Sequence, residues 1–215
     1  MSVATREESE RVFLPGMGLD WLLPLYDPLT RLFGVERARG ALLKNAALHP
    51  GDTVLDVGCG TGSLAIGIKQ RQPEVEVVAL DPDAKALARA RRKAKRAGVS
   101  IRFERGFAAA LPYREGAFDL VFCSFMFHHL ERDQKQGMLR EIRRVLKPGG
   151  RFHMVDFGEA SFGANRSTWR RLQDNAERRV LASMTEAELV DARIVGSRSL
   201  FAGLLPAIYY EASGP

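Results

Sequence analysis

Cysteine is scarce in this chain: two in 215 residues, Cys59 and Cys123. They form no C-x-x-C pair, so no disulfide framework is encoded, and two free thiols in a reducing cytoplasm are expected. Long apolar runs are missing too. The longest, Leu120–Phe127, broken only by Ser124, is far too short to span a bilayer. The opening MSVATREESE is polar and has no apolar core of the kind a secretory signal needs. No G-K-S or G-K-T follows the glycine-rich run, which excludes a P-loop. No His, Cys, Asp or Glu cluster has metal-ligand spacing, so no metal is expected. Internal repeats and low-complexity tracts are also absent.

What is present is an ordinary globular composition, 46% hydrophobic and 27% charged, of a size that suits one domain. The net charge of +6 is compatible with an anionic substrate, nucleic acid or a membrane surface. Much of the excess sits in KALARARRKAKRAG (85–98). As a helix, this segment turns Ala84, Leu87, Ala90 or Arg91, and Ala94 inward. Lys85, Arg89, Arg92, Lys93 and Arg96 then form a solvated face.

The rhythm of the chain suggests its organisation. Residues 1–12 read as a flexible tail and 13–48 as a helical lid, with a helix over 35–48 ended by His49-Pro50-Gly51. TVLDV (53–57) is β-rich without alternation, as in a strand buried on both faces. Further strands are expected at 75–80, 100–105, 118–125 and 151–157. Helices are expected at 63–71, 83–97 and 133–146, the last with an apolar stripe at Met138, Ile142 and Val145 and stopped by KPGG. This alternation over 50–157 predicts an α/β fold, Rossmann-like and doubly wound, on a mostly parallel sheet. Residues 158–215 depart from it. Residues 164–181 read as helical, and Thr185 and Glu188 have capping-box spacing for a new helix. RIVGSRSLF and LPAIYYEA then form a terminal antiparallel pair, giving seven strands.

In such sheets ligands bind at the carboxyl ends of the strands. Here that place carries Gly58-Cys59-Gly60-Thr61-Gly62, a G-x-G-x-G turn. Alone it is a weak signal. Two carboxylates sharpen it. Asp81 ends the second strand, 19 residues after Gly62, where it can accept hydrogen bonds from both hydroxyls of a ribose; it could also start the next helix. Asp56 lies two residues before the first glycine, where it would repel a pyrophosphate and attract an ammonium.

Taken together, LDVGCGTG, LDPD, LPYREGAFD, FMFHHL and RVLKPGG resemble the class I S-adenosylmethionine-dependent methyltransferases. The resemblance is to the branch that includes the ubiquinone and menaquinone biosynthesis C-methyltransferases, and it covers roughly Tyr26 to Phe157. It implies S-adenosylmethionine as cofactor. It implies that Gly58, Gly60 and Gly62 let the backbone approach the methionine part, that Asp56 holds its amino group, and that Asp81 holds the ribose. Pro82, Gly106, Phe107 and Ala108 would border the adenine, and Ser124 and Phe125 the methionine and sulfonium. Tyr26 matches an aromatic position of the family's lid. One departure stands out: the family commonly reads G-D-A where this chain has Gly106-Phe107-Ala108. Phenylalanine cannot accept the hydrogen bond that the aspartate takes from the adenine amino group.

Methyl transfer needs a base only when the acceptor must lose a proton. His128, after the fourth strand, is the candidate; a histidine that packs or caps the loop is the structural alternative. Asp156 could orient a substrate or bond nearby amides, and His153 reads as core. The acceptor wall is expected from Phe13, Met17, Trp21, Leu22, Leu25, Tyr26, Phe33, Phe162 and Trp169. This suggests a small, partly apolar acceptor such as a quinone precursor, phenol, amine or lipid. Peripheral contact with lipid or an anionic substrate fits the basic surface. Two other classes remain open. A nicotinamide-dependent oxidoreductase is opposed by Asp56. A nucleic-acid-directed methyltransferase is motivated by the charge but lacks an N-P-P-Y-like stretch for a flipped base, so no nucleic acid is expected.

Overall fold

The computed structural model describes residues 34–158, 177–201 and 205–215. Its elements are α1 (Val35–Asn45), β1 (Thr53–Val57), α2 (Ser63–Arg71), β2 (Glu76–Asp81), α3 (Ala84–Arg96), β3 (Arg102–Arg105), β4 (Phe118–Ser124), α4 (Arg132–Val145), β5 (Leu146–Phe157), α5 (Glu177–Glu186), β6 (Val190–Leu200) and β7 (Leu205–Ser213). A single 3₁₀ turn, Phe127–His129, joins β4 to α4.

The seven strands lie in the order β3-β2-β1-β4-β5-β7-β6. β1 to β5 are mutually parallel, and β7 runs antiparallel between β5 and β6. The fold is thus the expected doubly wound sheet with its terminal antiparallel hairpin. Both faces are covered, which is why the central strands are apolar without alternation. Val54, Val77, Ala79, Leu120 and Phe122 pack in one core with Leu42, Leu64, Ile68 and Leu87 from α1, α2 and α3. Leu55, Val57, Val121, Phe152 and Met154 pack in the other with Met138, Ile142, Val180 and Met184 from α4 and α5. Each such large side chain contributes about 1.5–3 kcal/mol by leaving water. The winding reverses between β1 and β4, so their carboxyl ends flank the crevice where a ligand binds.

Several expectations need correcting. The helix expected to open at Thr185 instead ends there. Thr185 lies in the last turn of α5, donating its hydroxyl to the Leu181 carbonyl, because Val180 and Met184 at i,i+4 fix the buried face of an earlier helix. α1 stops at Asn45 rather than at residue 48. α4 ends at Val145, and KPGG belongs to β5: Leu146 pairs with Phe118, and Lys147 forms an ion pair with Asp119 at 2.7 Å. On α3, Ala84 is exposed and Ala86 takes its place in the buried stripe with Leu87, Ala90 and Ala94. Lys93 is not on a purely solvated face either. Its Nζ donates to the Ser63 hydroxyl at 2.8 Å and to the Thr61 hydroxyl at 3.3 Å, tying α3 to the glycine turn.

Candidate cofactor and acceptor site

The glycine turn follows β1 directly. Gly58, Gly60 and Gly62 all have left-handed backbones, with φ of 71°, 53° and 77°. That conformation is costly for other residues. The space around them differs. A Cβ on Gly58 would strike the Met126 side chain, and one on Gly62 would meet Ala90 and Phe103. Only at Gly60 is nothing within 4 Å among the described residues, so of the three this one borders open space. A Cβ on Gly106 would meet Leu80 at 2.8 Å, so this glycine is required by packing beneath the neighbouring loop.

Asp81 ends β2 beside that turn. Its Oδ2 accepts from the Gly60 N–H at 2.8 Å and its Oδ1 from the Asp83 N–H at 2.9 Å. A carboxylate has lone pairs left after two such bonds. Asp81 therefore both pins the glycine turn and can serve ribose hydroxyls. Helix initiation falls to Asp83, whose carboxylate accepts the Lys85 N–H. Burial pushes the Asp81 carboxyl up to about 6, against the two backbone hydrogen bonds that hold it down. Pro82 and Phe107 are half-buried beside it. Phe107 closes a small turn with Ala110, whose N–H donates to the Phe107 carbonyl at 3.1 Å, and Ala108 packs against the core.

Asp56 sits at the end of β1 with no solvent exposure, and neither carboxylate oxygen has a hydrogen-bond partner among the described residues. Burial pushes its carboxyl up to about 7, while the nearby Arg39 charge and a long contact with the Ala65 backbone N–H pull it back. A buried acid so weakly hydrogen-bonded is costly unless something cationic reaches it.

Across the switch point, β4 ends at Ser124 and Phe125 follows it, both buried. Phe125 has φ of 53°, a left-handed backbone rarely tolerated by a large side chain, and its N–H is anchored on the Val155 carbonyl at 2.8 Å. The distortion sets its ring 4.9 Å from Phe157, which in turn lies 4.9 Å from the His128 ring and 6.3 Å from Phe201. These rings give the crevice an aromatic wall built from β4, β5 and the end of β6. The nine wall residues expected from the sequence, Tyr26 among them, lie outside the described residues.

His128 is held by Asp156 at the end of β5. Its Nδ1 is 2.6 Å from Oδ1, and its backbone N–H donates to Oδ2 at 3.0 Å. Asp156 is fully buried. Burial would raise its carboxyl, but the His128 ring and the Phe157 and His128 amides outweigh this and hold it low. An ionised Asp156 selects the tautomer with the proton on Nδ1, leaving the Nε2 lone pair free to accept. The structure thus brings Asp56, Asp81, Gly60, Ser124, Phe125 and His128 to one end of the sheet. His153 lies in the core as expected, stacked on Phe122. Two residues escaped the sequence reading: Arg39, which looks like any helix-surface arginine, and Phe157, which looks like any strand residue.

A cavity of about 600 Å³ lies at the opposite end, against Thr53, Glu76, Arg102, Tyr113 and Phe118, where β1 to β4 begin. Sheet topology makes it an unsuitable place for the cofactor. Among the described residues no cluster could hold a metal ion, and no helix is long and apolar enough to cross a membrane.

Strand order, switch-point turn and the acidic strand ends define a Rossmann-like nucleotide-cofactor fold. Comparison with known proteins narrows the class. Residues 54–150 match the family model described as methyltransferase domain. A demethylmenaquinone methyltransferase from Deinococcus radiodurans is 42% identical over 145 residues, covering 66% of this chain and 59% of that protein. One from Thermus thermophilus is 40% identical over 146 residues, 66% of each. The chain therefore spans less than two thirds of the length of these relatives. Among solved structures, the cyclase SpnF has a TM-score of 0.69 at 20% identity, covering 84% of this chain and 80% of that one. YcgJ from Bacillus subtilis has 0.67 at 20%, covering 83% and 98%. At such identities the likeness is one of fold. Residues 54–150 are thus a class I S-adenosylmethionine-dependent methyltransferase domain, and the chain is similar there to demethylmenaquinone and ubiquinone/menaquinone methyltransferases.

Proposed function

We propose that this chain transfers a methyl group from S-adenosylmethionine to a small, partly apolar acceptor with a proton to lose, of the quinol or phenol kind. The observation that carries the cofactor half is the Asp56 carboxylate, fully buried and without a close hydrogen-bond partner among the described residues, at the strand end that leads into the turn holding the open Gly60. A ligand bearing an ammonium relieves its cost, whereas a nicotinamide dinucleotide would set a pyrophosphate near it. Asp81 would take the ribose, and Ser124 and Phe125 would border the methionine chain. When bound, S-adenosylmethionine supplies a methyl carbon already activated by its positive sulfur.

The remaining work falls to the chain's own side chains. Phe125, Phe157 and Phe201 exclude water and offer π faces to a cation. His128 accepts the acceptor's proton at Nε2 while Asp156 steadies the imidazolium through Nδ1. The aromatic wall and the names of the relatives, which include a 2-phytyl-1,4-naphthoquinone methyltransferase from Synechococcus elongatus, both favour an apolar ring acceptor.

Calorimetric titration with S-adenosylmethionine, S-adenosylhomocysteine, NAD and NADP tests the first half. Binding of the first two alone supports the reading, and folded protein that binds neither sinks it. Acceptor screening with quinols, phenols and phospholipids, read by methyl incorporation, tests the second half.

A further inference from the structure

The cavity at the amino ends of β1 to β4 measures about 600 Å³, within the range of roughly 300–1,000 Å³ usual for small-molecule sites. Its walls are held from outside. Tyr113 stands edge-on to Phe118, ring centres 5.0 Å apart, and its hydroxyl donates to Glu104 Oε2 at 2.8 Å. The loop that carries Pro112, Tyr113 and Arg114 is strapped to α4. Arg144 donates to the Leu111 and Tyr113 carbonyls, and Glu141 accepts the Leu111 N–H. The Ala117 N–H donates to the Val145 carbonyl at 2.8 Å. These ties keep an apolar surface of Val78, Pro112, Ala117, Phe118 and the Tyr113 ring open beside the strand ends.

Charge on this surface is one-sided. Three cations line it, Lys69, Arg102 and Arg114, against one carboxylate, Glu76. Lys69 Nζ donates to the Pro73 and Val75 carbonyls at 2.7 and 2.6 Å, which fixes its position without neutralising its charge. Arg114 is exposed and has no ion pair among the described residues. Arg102 Nε lies 3.0 Å from Glu104 Oε1, so its terminal N–H groups remain for another acceptor. An anion in the hollow would relieve the repulsion among the three and gain charge-assisted hydrogen bonds. The place is separate from the carboxylates of the glycine turn: Glu76 and Asp81, at the two ends of β2, are about 17 Å apart.

We infer that this cavity is a second ligand site, for a small ring-bearing carboxylate. The ring lies against Val78, Tyr113 and Phe118, and the carboxylate faces Arg102 and Arg114, with Lys69 adding charge. The site does not depend on the cofactor reading.

The probes are indole-3-acetate and its neutral isostere indole-3-acetamide, measured by equilibrium dialysis and by amide shifts of the ¹⁵N-labelled full chain. The acetate is expected to bind roughly tenfold more tightly than the amide, and equally well with S-adenosylhomocysteine present. Amides of Ser100 and Ala117 should move and that of Gly60 should stay. Arg114→Gln, at an exposed position, should weaken the acetate about fivefold and leave the amide unchanged. Ala117→Leu, which fills the hollow, should weaken both probes about tenfold, with the urea midpoint reporting that it is folded. No saturable binding of the acetate overturns the site, as does equal affinity for acetate and amide. So do shifts centred on residues 58–62, since the probe would then lie in the cofactor crevice. Either variant binding like wild type reduces the cavity to a solvated cleft.

Discussion

His128 and Asp156 are joined twice, side chain to side chain at 2.6 Å and through the His128 backbone N–H at 3.0 Å. A histidine that only filled space would not need both. The double tie fixes the ring's position and its tautomer together, as a base requires. His128→Gln is therefore expected to leave S-adenosylhomocysteine affinity within about twofold and to lower kcat by roughly 100-fold or more with a proton-bearing acceptor. Single-turnover methyl transfer and calorimetry on the same preparation separate the two effects. Equal loss of both would reduce His128 to packing.

Asp156 also bears on stability. Its folded pKa is lowered below 3.8, so its contribution is present above that value and is lost as pH falls through the lowered one. Asp156→Asn should flatten the acid limb of the unfolding profile, followed by circular dichroism in urea. An unchanged acid limb would mean that the tie to His128 adds no stability.

Asp56 carries the opposite sign. Its pKa rises from 3.8 to about 7 on folding, so the stability linked to its protonated form is complete below 3.8 and is lost as pH rises to about 7. The cost at full ionisation is on the order of 4 kcal/mol. Asp56→Asn should therefore stabilise the ligand-free protein at pH 8 while weakening S-adenosylhomocysteine. In the wild type, affinity should climb between pH 6 and pH 8 as the carboxylate forms. A flat affinity profile over that range would argue against an ammonium on Asp56.

The glycines are expected to separate by their surroundings. Gly60→Ala has only its left-handed backbone to oppose it, about 1–2 kcal/mol, and should weaken cofactor binding beyond that. Gly58→Ala adds a clash with Met126 and should cost more in urea unfolding. Trimming Met126 to Ala in the same chain should return part of that excess. If it returns nothing, the contact with Met126 is not what Gly58 is for.

Asp81→Ala removes the acceptor for the Gly60 N–H as well as the expected ribose contact. Affinity for 5′-methylthioadenosine should fall roughly tenfold or more, because this ligand keeps the ribose. Retention of affinity would assign Asp81 to the turn alone.

Much of this was legible in the sequence for local reasons. A run such as TVLDV without alternation encodes a strand covered on both faces, and a glycine turn after it encodes a left-handed backbone at the strand's end. Asp56 and Asp81 were placed by their position at strand ends. The start of α5 is not legible locally: the capping-box spacing at Thr185 and Glu188 is a local signal, and the i,i+4 burial of Val180 and Met184 overrides it.

The sequence by itself determined the order of strands and helices, the turn at residues 58–62 and the two acidic strand ends, since each follows from spacing within a few residues. Only the tertiary structure decided that Arg39 would be buried against Ser124, 85 residues away, and that His128 would meet Asp156, 28 residues away. Nothing local marks either partner. The second pairing comes from the parallel register of β4 and β5, and the first from the packing of α1 on the sheet; together with β1 they bring distant residues to one edge, where Asp56 lies buried with no close hydrogen-bond partner among the described residues.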